Sequence, residues 1–446
     1  MTWAGRPRVA LVLTASIAAF TAAACFGGPP PPPPPPPAQP CQSAGAASPS
    51  AGASEPARAP SDQPIPPDQA GAQARSVAST TDVRTKNGDI PLVTVEQRGG
   101  KPEITSTPVR SPDEAASVAE QKAADGDLHA VDVDKPVKAL ANPNDQFFGQ
   151  QWSFTKVPYV AAWTTDGTQG SVTVADVDTG VMATHPDLSG QVLDGHFFLH
   201  DNGGSNAFEG DGGTTDPNGH GTHVSGTIAA LSNNNTGVSG AAPGAKILPV
   251  QVLCGDGTGS SSDVASGIVW AVDHGAKVVN LSLGGPADAS ELSAAQYADQ
   301  KNVVVVAAGG NDGTNGPPSY PAAYSTQQGN LIAVAATTNA NGHPSYGTSG
   351  INAGYLDISA PGGVPSSNDS AVSVLSTWND GGYRAIAGTS MATPHVSAAA
   401  ALLISAANCT DSQVKTRLKA TAVPLGAAST FGAGLVDPNA AAKVCT

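Results

Sequence analysis

The hydrophobic and polar positions of this 446-residue chain change their rhythm at about residue 141. Beyond it, short β-branched apolar runs at Val172–Val177, Lys246–Leu253, Lys277–Leu283, Val303–Ala308 and Leu331–Ala335 are predicted as strands. Helical patterns fall between and after them, at His220–Leu231, Ser262–Gly275, Ala289–Gln300 and Ser390–Ser405. Continuous apolar strands alternating with helices predict a mainly parallel α/β sheet with helices on both faces. Ligands of such sheets bind beyond the carboxyl ends of the strands, so chemistry is expected there.

Ahead of residue 141 the pattern is weaker. In residues 85–140, Ile90-Pro-Leu-Val-Thr-Val and Leu128-His-Ala-Val-Asp-Val are strand-like, and Ser111-Pro-Asp-Glu opens a capped helix, which makes a small βαβ-sized module. Residues 25–84 are read as a low-complexity Pro/Ala-rich linker; nine consecutive prolines, Pro29–Pro37, predict an extended polyproline spacer. Residues 1–24 have the form of an export signal: Arg6 and Arg8, a small apolar stretch, then Ala22-Ala23-Ala24 as the cleavage site. Cys25 follows directly and also suits a bacterial lipid-modified cysteine.

Composition narrows the classes. A net charge of −15 argues against a nucleic-acid surface, because phosphate binding needs clustered Lys and Arg. No later segment reaches ~18 uninterrupted apolar residues, so no transmembrane span is expected. Export permits disulfides. Cys409 ends an apolar helical run and Cys445 is the penultimate residue, so these two are the expected bridge; Cys254 falls outside that pairing and is expected as a buried thiol.

Three polar motifs interrupt the α/β pattern. Asp178 follows the strand Val172–Val177 and precedes Thr179-Gly180. His220 lies in Asn218-Gly-His-Gly-Thr-His-Val-Ser-Gly, and Ser390 in Gly388-Thr-Ser-Met-Ala-Thr-Pro-His, each opening a helix. A serine hydroxyl needs an imidazole to take its proton, and the imidazole needs a carboxylate to fix its tautomer. Singly, each motif is an ordinary turn or cap. Together, and in the order Asp, His, Ser, they resemble the subtilase family of serine peptidases over residues 141–446.

The resemblance implies the rest of the expected site. It implies a subtilisin-like three-layer fold and a serine endopeptidase of broad specificity acting through an acyl-enzyme, with large apolar residues preferred before the scissile bond. Asn311 falls where subtilases keep the side-chain donor of the oxyanion hole. Ser282, Leu283 and Gly284 resemble the edge along which a substrate lies as an added strand; Gly284, Gly309 and Gly310 would line a roomy primary pocket with Asp312 at its rim. Asp145, Asp187 and Asn234 fall where subtilases bind structural Ca2+, with Asn233 as an alternative to Asn234. Residues 85–140 resemble a short subtilase propeptide, which implies a secreted, monomeric zymogen that cuts itself between Leu140 and Asn144. Cleavage there would release a lipid-tethered precursor from Cys25. Its partners would be protein or peptide substrates and its own propeptide.

One departure stands out. Asp176 occupies a position that is usually aliphatic in subtilases, on the same strand face as Asp178. Either it finds a hydrogen-bond partner or it raises the pKa of its neighbour. As a rival acid it is disfavoured by the Thr179-Gly180 that follows Asp178. His223 and His395 are read as structural. The alternative function is an extracellular binding protein on a catalytically inactive subtilase fold.

Overall fold

The computed structural model describes residues 63–441 apart from positions 82, 86, 135–141, 167–168, 201–206 and 408. The expected export signal, Cys25, the proline spacer, Cys445 and part of the processing stretch at 140–144 lie outside the described residues. The described residues fall into two compact units, one on each side of residue 140.

The first unit is α+β. Helix α1 (Pro67–Thr80) precedes strands β1 (Ile90–Arg98) and β2 (Lys101–Val109), helix α2 (Pro112–Ala123) and strand β3 (Leu128–Val133). The sheet order is β2-β1-β3, antiparallel throughout. Ser111 caps α2 through the Glu114 N–H, as its motif predicts. Two elements depart from expectation. The expected linker ran to residue 84, yet α1 buries Ala70, Ala74 and Ala78 in the same core as Leu92 and Leu128. Alanine at spacing four gives a flat helix face that can pack closely, and low complexity hid it. Strand β2 leaves no signal in the sequence, because its side chains are mostly exposed and carry no apolar alternation.

In the second unit the short helices α3 (Ser153–Lys156) and α4 (Tyr159–Asp166) lead into an eight-stranded sheet. Its strands are β4 (Thr173–Asp178), β5 (His196–His200), β6 (Ala207–Asp211), β7 (Lys246–Gln251), β8 (Val278–Leu281), β9 (Val304–Ala308), β10 (Leu331–Thr337) and β11 (Ile358–Pro361). They stand in the order β11-β10-β9-β8-β4-β7-β5-β6, and only β6 runs antiparallel to its neighbour. Helices α5 (His220–Ala229), α6 (Ser261–Asp273), α7 (Ala289–Gln300) and α8 (Thr389–Ala407) cover the faces. Cys409, just beyond α8, is disulfide-bonded, and Cys254 is half-buried rather than buried.

Alternate strand residues enter separate cores. Val174, Val278, Val304 and Ile332 pack with Ile228 of α5 and Val396 of α8. Ala175, Val279, Val305 and Ala333 pack with Ile268 of α6 and Ala295 of α7. This is the three-layer α/β arrangement that the strand pattern predicts. Central β4 pairs with β8 on one side and β7 on the other. The carboxyl ends of β4, β8 and β9 therefore open side by side, where Asp178, Ser282 and Gly309 begin their loops.

Candidate active site

Asp178 is the last residue of β4 and is fully buried. Its carboxylate faces the first residue of α5: His220 Nδ1 lies 2.8 and 2.9 Å from its two oxygens. Gly180 lets the chain turn away, with φ at 99°; a Cβ there would fall 2.1 Å from the Thr215 carbonyl oxygen. Thr179 then donates its hydroxyl to Asp216 at 2.9 Å and accepts the Gly221 N–H at 3.0 Å. Asp216 also accepts the N–H groups of Asn218, Gly219 and Thr222. The turn carrying the acid and the helix carrying the imidazole are thus clamped together by one buried carboxylate. Asp216 belongs to none of the sequence motifs; an acid four residues before a helix-opening His is its only sequence signal.

His220 is half-buried, on the wall of a cleft. Burial alone would lower its pKa. The neighbouring Asp178, followed by Asp176 and Asp216, outweighs this and raises it to about 9. His223 and His395 are fully buried and bonded to backbone carbonyls, and desolvation lowers them to about 3 and about 4. Neither belongs to a metal cluster: among the described residues no group of three or more His, Cys, Asp or Glu could hold an ion.

Ser390 lies in the first turn of α8, where backbone N–H groups lack intrahelical acceptors. Pro394 has no N–H to give to the Ser390 carbonyl four residues back. The Ser282 hydroxyl donates to that carbonyl instead, at 2.8 Å. In return the Ser390 hydroxyl donates to the Ser282 carbonyl at 3.0 Å. The serine therefore shares the cleft with His220, but its hydroxyl is turned to Ser282. Asn311 accepts the Thr389 N–H and hydroxyl on Oδ1, both at 3.0 Å, and its Nδ2 lies beside Gly388 on the Ser390 side.

Asp176 is fully buried one strand period before Asp178. It accepts the Ser225 hydroxyl at 2.7 Å and the Asn280 amide at 3.3 Å. Asn280 continues to the Ser282 hydroxyl at 3.1 Å and accepts from Ser397 at 2.8 Å. Desolvation first, and Asp178 second, push the Asp176 carboxyl far above its ordinary range. Of the expected alternatives, Asp176 has hydrogen-bond partners, and the bond to His220 belongs to Asp178.

The cleft, of about 500 Å³, is lined by Thr179, His220, Ser282, Leu283, Gly284 and Ser390, among others. That is room for a stretch of peptide. Gly309, Gly310 and Asp312 do not contribute to its lining. A Cβ on Gly309 would meet Leu356 and the Val334 oxygen inside the protein, and one on Gly310 would meet Thr348 and Ser319. Ser319 also faces Gly284, 2.1 Å from a Cβ placed there. The Ser319 side chain thus lies close to both Gly284 and Gly310, where the resemblance implies a roomy pocket.

The three expected calcium ligands converge elsewhere. Asp145 accepts the N–H groups of Asn233 and Asn234, both at 3.1 Å, and the Asn234 amide donates to Asp187 at 2.7 Å. Asn233 instead turns its side chain to Ser232. Burial, and to a lesser degree the nearby Asp145 charge, raise the Asp187 carboxyl to about 6.

A sequence model of the subtilase family matches residues 169–434. Subtilisin Savinase from Lederbergia lenta is 42% identical over 294 residues, spanning 66% of this chain and 98% of that protein. Thermitase from Thermoactinomyces vulgaris is 41% identical over 294 residues, 65% of this chain and 95% of its own. The extracellular protease of Xanthomonas campestris pv. campestris is 39% identical over 377 residues, 74% of this chain and 61% of its own. A solved structure of proteases from Pseudoalteromonas arctica superposes with a TM-score of 0.62 at 33% identity, covering 69% of this chain and all of that one. Parallel sheet, helix arrangement and sequence agree: the chain belongs to the subtilase family. It is a serine endopeptidase.

Proposed function

We propose that hydrolysis runs through Ser390 as nucleophile, His220 as general base and Asp178 as its orienting carboxylate. The observation that carries this reading is the contact of the His220 ring with both Asp178 oxygens at the open end of β4. That contact leaves Nε2 to face the cleft and take the serine proton. The present Ser390–Ser282 bond fits the same scheme. A substrate laid along Ser282–Gly284 as an added strand would offer a backbone N–H to the Ser282 carbonyl, freeing the hydroxyl to turn to His220. The scissile carbonyl then becomes an alkoxide between the Ser390 N–H and Asn311 Nδ2; collapse breaks the C–N bond, His220 gives its proton to the departing amine, and water, deprotonated by the same ring, hydrolyses the acyl-serine. Ser319 argues for medium-sized apolar residues next to the scissile bond, rather than the largest.

Asp145, Asp187 and Asn234 would hold a Ca2+ ion. Two carboxylates drawn together, with burial opposing the charge on Asp187, fit a hard cation with oxygen ligands. Its contribution would be to fasten the 144–150 segment to the loop at 231–238. The unit up to residue 139 would be the propeptide, removed by the enzyme itself, and the chain would act outside the cell as a monomer; a lipid on Cys25 would tether only the precursor.

A fluorophosphonate probe tests the assignment. The mature chain should label and the Ser390→Ala variant should not. Equal labelling of the two would reject Ser390 as nucleophile.

A further inference from the structure

Glu291 lies in the first turn of α7 and lines the same cleft as His220 and Ser390. An acid at this helical position ordinarily faces water or folds back onto the N-cap. Here Asp288 does the capping, accepting the Ser290 N–H. Glu291 is only 3% exposed, and its Oε2 has no hydrogen-bond partner. A buried carboxylate without a partner is costly, so its presence at a cleft wall calls for a ligand.

The surroundings state which ligand. From α6 the wall supplies Ser261 and Val264, both uncharged, and the strand edge supplies Leu283 and Gly285. The charged group that acts on Glu291 is Asp288, a like charge; the Tyr324 hydroxyl is committed to the Asp288 carbonyl at 2.8 Å. Burial first and Asp288 second raise the Glu291 carboxyl to about 7, so it ionises across neutral pH and then lacks a counter-charge. Position along the cleft follows from strand geometry. At ~3.3 Å per residue, Gly285 lies about 10 Å beyond Ser282, whose carbonyl meets Ser390. A peptide on that edge brings to Glu291 a side chain roughly three or four residues before the scissile bond.

We propose that Glu291 forms the polar end of a subsite for a Lys or Arg side chain a few residues before the scissile bond. The aliphatic stem would lie against Val264 and Leu283 while the cationic head meets the Glu291 carboxylate. The proposal rests on the peptidase reading of the same cleft.

Mature enzyme would be assayed on fluorogenic peptides carrying lysine or norleucine at each of the second to fifth positions before the cut. The lysine-to-norleucine ratio of kcat/KM is read within each enzyme, which cancels the protonation of His220. We expect a ratio of about tenfold at one position at pH 8.5, falling towards one at pH 6 and close to one in Glu291→Gln at both pH values. Norleucine favoured everywhere in the wild type, or a ratio that survives Glu291→Gln, overturns the subsite. Should that variant fail to fold, a wild-type ratio unchanged between pH 6 and 8.5 overturns it equally. Hydrolysis without lysine preference removes the subsite alone; no hydrolysis and no fluorophosphonate labelling would remove the peptidase assignment with it.

Discussion

At the scale of single residues, two aspartates two positions apart have opposite surroundings. Asp178 meets an imidazole, while Asp176 meets a hydroxyl and an amide, both of which can donate to it. A carboxyl that is buried, bonded by neutral donors and close to another carboxylate keeps its proton. Asp176→Asn should therefore hold kcat/KM within about threefold and leave the rising limb of the pH profile in place. Were Asp176 ionised, its charge would hold His220 up, and the Asn variant would move that limb to lower pH. Asp176→Leu leaves Ser225 and Asn280 without their acceptor and should lower stability by about 1–3 kcal/mol, measured by melting. Asn311→Ala should cost ~10²–10³ in kcat, with KM little changed, a range that itself derives from a subtilisin. A larger rise in KM than fall in kcat would place Asn311 outside the oxyanion hole.

At the scale of elements, the 231–238 loop and the 144–150 segment depend on two acids. Burial opposes the charge of Asp187, whose folded pKa of about 6 exceeds its ordinary value of 3.8. Without a cation this group destabilises the fold as pH rises past 3.8, an effect complete above about 6. A bound Ca2+ reverses that balance. At free calcium 100-fold above Kd, removal by EDTA should lower the Tm of the Ser390→Ala chain by roughly 5–10 °C, and the loss should vanish in Asp187→Ala. The inactive chain avoids self-digestion during the scan. An EDTA-insensitive Tm would exclude the site. The bounds of α7 were legible even though its apolar periodicity is weak: it falls on Ala289–Gln300 as expected. Strands β5 and β6, at the edge of the sheet, were not legible, since β5 has only three apolar residues between two histidines and Glu, Gly and Asp make up the rest of β6 after Ala207-Phe208.

For the whole molecule, in the proposed scheme the carboxylate field around His220, led by Asp178, sets the working pH. The base must be neutral, so kcat/KM should rise with pH through about 9 and fall tenfold per unit below it. The same pairing stabilises the fold fully below pH 6.5 and is lost as pH passes about 9, so activity and stability move in opposite directions there. A limb at pH 7 would show that water screens the pair. In the self-processing reading, the Ser390→Ala chain should remain full length while the active enzyme acquires a new N-terminus between Leu140 and Asn144. A mature start before residue 85 would contradict it.

The sequence alone determined the sheet's parallel character and the order of Asp178, His220 and Ser390. Buried strands must be apolar on both faces, and these motifs sit where strands end and helices begin. Thr179-Gly180 already favoured Asp178 over Asp176; only the tertiary structure showed their partners, because both share one strand face and their difference lies in Ser225, Asn280 and His220, distant in the chain. It also placed Ser319 against Gly284 and Gly310 and buried Glu291 at the cleft wall. Cavities and unpartnered groups arise between segments, and no local spacing records them.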